Sequence, residues 1–270
     1  MGVILDTAVV LARGLGTRMR RDEGTALTER QRAAAASGAK ALMPIGRGVL
    51  VDYIVSALAD AGLTRVVLVV PPEHEAFEAH FARQSRSRVV VDFAVQQEPR
   101  GTADALSAAR AAVGGRPFVM VNGDNYYPPQ ALRDVAAAGA HSMGGFDPAS
   151  LVEGGNIPRE RLASFAFVWA DAQGHAMRFE EKPQPAPLDD PAVVISMNLW
   201  AFGPAIFEAC ARTKPSVRGE LELADAVRIL VRELGEPVRV VRVRGPVLDL
   251  SGRADVASVE GRLAGREVVL

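Results

Sequence analysis

The sequence predicts an α/β fold: a mostly parallel sheet with helices on both faces, extended by an antiparallel portion. Three observations predict it. Apolar runs of strand length alternate with amphipathic helix patterns through the first half of the 270 residues. Closely spaced strand-like runs replace that alternation in the second half. Two of the early strands end in polar, glycine-bearing loops, the place where open α/β sheets hold their ligands.

The elements follow in chain order. Residues 7–12 form an apolar run rich in β-branched side chains, with the length of a buried strand. Residues 49–61 carry apolar side chains at helical spacing (Leu50, Tyr53, Ile54, Ala57, Leu58), and Gly62 is placed to end that helix. Residues 65–70, 88–95 and 117–122 read as strands, and residues 73–84, 102–113 and 130–138 as the helices between and after them. In the second half, residues 164–170, 177–180 and 193–202 read as antiparallel strands and residues 183–191 as a Pro-rich loop. Helices are expected over 204–212, 221–234 and 253–264, with short strands at 238–244 and 247–250. No repeat or low-complexity linker divides the chain, so one domain is expected over 1–270, with a first half to about residue 140 and a second from 141.

Composition narrows the function classes. Hydrophobic residues make up 49% and charged residues 23%, as in ordinary globular enzymes. A net charge of -1 gives no basic field for nucleic acid or an anionic membrane. No apolar run reaches membrane-spanning length and none reads as a secretory leader, so a cytoplasmic location is expected. Cys210 is the single cysteine, which excludes an intrachain disulfide and a cysteine-based zinc site. The four histidines show no metal spacing, and His74 and His80 read as surface helix residues.

Residue chemistry singles out five places. After the first strand comes Leu11-Ala12-Arg13-Gly14-Leu15-Gly16-Thr17-Arg18, answered by Lys40-Ala41-Leu42-Met43-Pro44-Ile45. Gly14 and Gly16 let the backbone approach a ligand, exposed amides bind an anion, and Arg18 and Lys40 add charge. The same Gly-x-Gly is also a common tight turn. Asp124 and Asp249 both stand at strand ends, each in a glycine-bearing loop, and suit a Mg²⁺ that keeps several waters. Gln96, or Gln97 in the alternative register, offers an amide that donates and accepts. Glu181 and Lys182 pair a hydroxyl acceptor with a phosphate counter-charge. Asn198 sits in a strand pattern, where asparagine is disfavoured without a partner.

The order of these motifs resembles the sugar-1-phosphate nucleotidylyltransferases, closest in motifs to the glucose-1-phosphate thymidylyltransferase branch. The segments that carry it are Leu-Ala-x-Gly-x-Gly-Thr-Arg, Lys-Ala-Leu-x-Pro-Ile, Gly123-Asp124-Asn125, the 96–101 run, Glu180-Glu181-Lys182-Pro183, Arg218-Gly219-Glu220-Leu221-Glu222 and the Asp249-x-x-Gly252 end. The resemblance implies a Rossmann-like fold of the nucleotide-diphospho-sugar transferase type. It implies attack of a sugar 1-phosphate on the α-phosphorus of an NTP, dTTP or UTP favoured, with release of pyrophosphate. Leu11, Ala12, Gly14, Gly16, Thr17 and Arg18 would hold the nucleotide, with Gln96 and Gly101 at its base. Arg18, Lys40 and Asp124 would be catalytic, and Asp124 and Asp249 would hold Mg²⁺. Glu181, Lys182 and Asn198 would bind the sugar phosphate, with Gly144-Gly145 bordering it. A homo-oligomer is expected from the resemblance alone.

Three departures oppose an active enzyme. Arg13 replaces a small residue, usually glycine. Residues 19–39 insert before Lys40, reading either as a lid over the triphosphate or as a solvated charged face. Val247 and Arg253 replace the tryptophan and threonine that flank Asp249-x-x-Gly in the family. A catalytically weak binding paralogue, or a cytidylyltransferase acting on a non-sugar phosphate, are the alternatives.

Overall fold

The computed structural model describes residues 5–21 and 24–270. The chain runs through β1 (Thr7–Leu11), α1 (Thr17–Arg20), α2 (Glu29–Ser37), the short strands β2 (Pro44–Ile45) and β3 (Gly48–Val49), then α3 (Leu50–Asp60), β4 (Arg65–Val70), α4 (Glu75–Ala82) and β5 (Val90–Val95). It continues through α5 (Thr102–Ala108), α6 (Arg110–Val113), β6 (Phe118–Asn122), β7 (Asn125–Tyr126) and α7 (Pro129–Ala138). The second half holds β8 (Ser142–Phe146), α8 (Pro148–Glu153), β9 (Ala166–Ala170), β10 (Ala176–Glu181), β11 (Val193–Phe202), α9 (Ala205–Arg212), α10 (Leu223–Arg232), β12 (Arg239–Val243), β13 (Leu248–Asp249) and α11 (Asp255–Leu263). No helix among the described residues is long and apolar enough to cross a membrane.

One nine-stranded sheet runs β10-β9-β11-β6-β1-β4-β5, with β8 pairing β11 and β12 off that path. β1 is parallel to β4 and β6, and β4 to β5. β11 runs antiparallel to β6, β8 and β9, so the direction reverses where the second half joins. Side chains of β1 and β4 alternate between two cores. Ala8, Val10, Val66, Leu68 and Val70 enter one; Val9, Val67 and Val69 enter the other. A strand buried on both faces reads as an unbroken apolar run, which is why these strands were legible.

The structure departs from the sequence reading at several places. β8 lies where no strand was expected, because Ser-Met-Gly-Gly-Phe has low strand propensity. Its glycines are there for packing: a Cβ on Gly145 would lie 2.5 Å from Val194 Cγ2, and one on Gly144 3.1 Å from a Leu199 methyl. Both are buried inside the sheet. Its other neighbour, β12, pairs with it in parallel. The 102–113 helix is interrupted at Ala109. His80 is only half-exposed: its Nε2 lies 2.6 Å from Oδ1 of buried Asp52.

Among its described residues, the inserted stretch packs against the body of the protein. Thr28 and Gln31 form a reciprocal cap, and Gly38 ends α2 at φ 77°. Met19 and Ala35 are fully buried, and Gln31 Nε2 donates to Pro44 O at 3.2 Å. Arg253 Nε donates to Met19 O at 2.8 Å, so this departure from the family pattern holds the C-terminal end of α1.

Candidate functional site

A cleft of about 540 Å³ opens beyond the carboxyl ends of β1 and β6. Its walls come from the β1 end and the loop through Arg18, from Lys40, from Gln96 to Thr102, from Asn122 to Asp124, and from Glu220 and Ser251. β1 has β4 on one side and β6 on the other, the switch in strand order at which such sheets take ligands. Leu11, Ala12, Gly14, Gly16, Thr17, Arg18, Lys40, Gln96, Gly101 and Asp124 all line this one cleft.

Two close backbone approaches shape the floor. Gly16 sits at φ 59°, and a Cβ on it would lie 2.3 Å from Gly38 O. The phosphate-type loop therefore rests on the end of α2. Gly14 is not in the left-handed region and has open space around it, so only Gly16 meets the sequence-stated need for positive φ. Gly123 lets β6 close on β1: its N–H donates to Leu11 O at 2.9 Å, where a Cβ would also collide.

Lys40 and Asp124 meet across the cleft, Nζ to Oδ2 at 2.9 Å, both side chains partly buried. Lys40 N donates to Gly38 O at 2.9 Å, so the same glycine that supports Gly16 fixes the start of the lysine turn. The insertion thus sets the register of Lys40, which the sequence left open.

Asp249 is brought beside Asp124 by the β7–β13 pairing and by Leu250 N donating to Asp124 O at 2.9 Å. Its carboxylate does not line the cleft. It is buried, accepts from Ser251 Oγ at 2.7 Å and forms an ion pair with Arg161, which also binds Asp255 at 2.9 Å. Asn156 clasps the Asp249 backbone with two hydrogen bonds, of 2.9 and 2.8 Å. No group of three or more His, Cys, Asp or Glu side chains gathers for a metal among the described residues. Two carboxylates suit a Mg²⁺ that takes its remaining ligands from water and phosphate. Lys40 occupies the cation position at the exposed one.

Gln96 is buried and directional. Its Nε2 donates to Gly101 O at 3.1 Å and to Asp104 Oδ2 at 2.8 Å, which leaves Oε1 to accept. Gln97 is exposed and outside the cleft wall, so the register falls on Gln96. Gly101 has φ 123°, and a Cβ there would lie 2.4 Å from Leu221 O. Leu221 N donates to Arg100 O at 2.7 Å, and Ala103 N to Leu221 O at 2.9 Å. The 218–222 segment, at first only a family marker, therefore closes the Gln96 end of the cleft, and Glu220 lines it.

Glu181, Lys182 and Asn198 stand outside the wall of this cleft. Lys182 has φ 49° and Asn198 φ 57°, left-handed conformations that non-glycine residues hold at a cost. Asn198 is not a regular strand residue; it lies in the irregularity between Ser196 and Trp200 of β11, which relieves the strand penalty on asparagine. Glu181 is exposed by area, yet the protein around its carboxyl removes enough solvent to raise its pKa, and the Glu222 charge adds to the rise. Glu222 is held by Arg218 at 2.8 Å, so residues 218–222 line the cleft at Glu220 while the Glu222 charge acts on Glu181.

Sequence reasoning missed Arg161, Asn156, Ser251 and Glu220. Asn156 and Arg161 act on Asp249 from far along the chain and Glu220 reaches the cleft only through the fold, whereas Ser251, two residues from Asp249, carried a local signal.

Comparison with known proteins agrees with this geometry. The sequence profile of the nucleotidyl transferase family matches residues 7–243. A UTP–glucose-1-phosphate uridylyltransferase of Haloferax volcanii is 28% identical over 95% of this chain and 96% of its own. A glucose-1-phosphate thymidylyltransferase of Streptomyces griseus is 32% identical over 93% of this chain, which spans 64% of that relative's length. A UDP-glucose pyrophosphorylase from Acinetobacter baumanii superposes with a TM-score of 0.75 at 17% identity, covering 98% of this chain and 95% of that one. A UDP-glucose pyrophosphorylase complexed with UDP-glucose gives a TM-score of 0.74 at 16% identity, over 95% and 97% of the two chains. With a match that spans the sheet and the whole 540 Å³ cleft except Ser251, the chain belongs to the nucleotidyl transferase family.

Proposed function

We propose that this protein transfers a nucleotidyl group from UTP or dTTP to a sugar 1-phosphate, giving an NDP-sugar and pyrophosphate. The observation that carries the reading is the convergence of the Gly16 loop, Arg18, the Lys40–Asp124 pair and Gln96 on one cleft. In-line transfer at phosphorus needs little covalent help from protein; it needs alignment and charge stabilisation.

Amides of the Gly14–Gly16 turn and the Arg18 guanidinium bind the leaving pyrophosphate. Lys40 moves from Asp124 to the reacting phosphate, where negative charge builds in the transition state. Gln96 Oε1 accepts the ring N–H of uracil or thymine, an edge that cytosine lacks at that position. This disfavours the cytidylyl alternative. Lys182 takes the phosphate of the sugar substrate, while Glu181 and Asn198 take its hydroxyls. Asp124 would hold Mg²⁺, joined by Asp249 only where Arg161 releases it, and the ion when bound would neutralise triphosphate oxygens and help align them.

The test is pyrophosphate release over a panel of NTPs and sugar 1-phosphates in Mg²⁺. UTP or dTTP with a hexose 1-phosphate should turn over, and Asp124→Asn should lower kcat by orders of magnitude without loss of fold. One observation favours a second reading, a binding protein with little turnover: Asp249 is engaged by Arg161 rather than facing the cleft. Nucleotide binding with no pyrophosphate release from any pair would select that reading.

A further inference from the structure

Arg13 is the one residue of the glycine loop whose side chain bonds to another segment of the cleft wall. Its Nε donates to Gln96 O at 2.8 Å and its Nη2 to Gln97 O at 3.2 Å, across 83 and 84 residues of chain. It also lines the cleft. A guanidinium carries five N–H bonds in a fixed plane. Two are spent on these carbonyls, which lock the plane beside Gln96, and the remainder are left for a ligand.

Gln96 is equally constrained. Its amide nitrogen is taken by Gly101 O and Asp104, which Arg100 holds in turn at 2.7 Å, so only Oε1 remains to meet a base. The base end of the cleft therefore presents one fixed acceptor, Gln96 Oε1, and beside it one fixed cationic donor, Arg13. Uracil and thymine offer the complement: a ring N–H flanked by carbonyl oxygens. Cytosine has no ring N–H at that position, and adenine has no carbonyl. Guanine offers the same pair of groups on a larger ring system.

We propose that Arg13 selects the nucleobase, donating to the C4 carbonyl oxygen of uracil or thymine, where cytosine carries an amino group, while Gln96 Oε1 accepts the adjacent ring N–H. The inference rests on the nucleotidyl-transfer reading and deepens it: a residue that departs from the family's small one becomes the specificity determinant. It also converts the bulk of Arg13 from an obstruction into a contact, because the strap to Gln96 and Gln97 draws the side chain along the wall.

Titration calorimetry with UTP, dTTP, CTP, GTP and ATP, each alone with Mg²⁺, tests it on the wild type, Arg13→Ala and Arg13→Lys. The wild type should prefer UTP or dTTP to CTP. In Arg13→Ala that preference should fall about tenfold or more, the loss expected for one hydrogen bond from a charged donor. Arg13→Lys keeps the charge without the fork and should retain part of the preference. The ratio compares two ligands on the same folded protein, so a change in overall stability does not move it. Equal weakening of UTP and CTP would reduce Arg13 to a strap and overturn the inference while leaving nucleotide binding intact. A wild type that binds no triphosphate would overturn the nucleotide reading and the inference with it.

Discussion

Lys40 Nζ lies 2.9 Å from Asp124 Oδ2, a contact between residues 84 apart in sequence that spans the cleft. Each side chain faces the other's charge. The lysine starts a turn fixed by Gly38, and the aspartate follows the β6 end at Gly123, so both are carried by rigid backbone.

Removing the lysine charge tests that arrangement. Lys40→Met should lower kcat by about 10²–10³, as for loss of one preorganised donor to a developing anion. Steady-state pyrophosphate release measures it. A variant within a factor of about two of wild type would remove Lys40 from the reaction.

The contact between the glycine loop and α2 predicts a stability effect that reaches function. Gly16→Ala puts a Cβ 2.3 Å from Gly38 O at φ 59°. The left-handed conformation alone costs about 1–2 kcal/mol, and the collision displaces the loop. Urea unfolding should show at least that loss, with weaker triphosphate binding in the same variant. Unchanged stability would mean that the loop and α2 separate freely.

The two halves of the proposed site separate by mutation. Lys182→Ala should weaken sugar 1-phosphate binding about ten- to a hundredfold and spare the nucleotide. Arg18→Ala should do the reverse. Calorimetry with each ligand, and with a non-reactive partner present, reads both. Loss of nucleotide binding in Lys182→Ala would end the assignment of Lys182 to the sugar phosphate.

Glu181 predicts a pH dependence. Desolvation, then the Glu222 charge, raises its pKa in the folded chain from 4.5. Folding therefore favours the protonated carboxyl. The stabilisation is complete below the unfolded value and disappears as pH rises through the raised one. Glu181→Gln stays neutral throughout. Its melting temperature relative to wild type should rise between about pH 4 and pH 7. A difference independent of pH would show that Glu181 ionises in the fold as it does in the free chain.

The sequence by itself determined the sheet's first half and the order of the chemistry along it. β1, β4 and β6 were legible because strands buried on both faces must be nearly apolar throughout, edge strand β5 because its run is mostly β-branched and aromatic, and the glycine loop because close approach and anion binding use few residue types. The α2 cap was readable from Thr28 and Gln31, since capping is local. The tertiary structure alone decided what long-range contacts decide. β8 exists because β11 and β12 leave room there only for glycine, and its own side chains carry no strand signal. The insertion is docked through Met19, Ala35 and Gln31, although its charge pattern suited a lid or a free surface equally. Gln96 became an acceptor through Gly101 and Asp104, Asp249 was drawn from the cleft by Arg161, and Arg13 was turned toward Gln96. Residue type sets what a side chain offers. The direction in which it offers it depends on which partners the fold brings within about 3 Å.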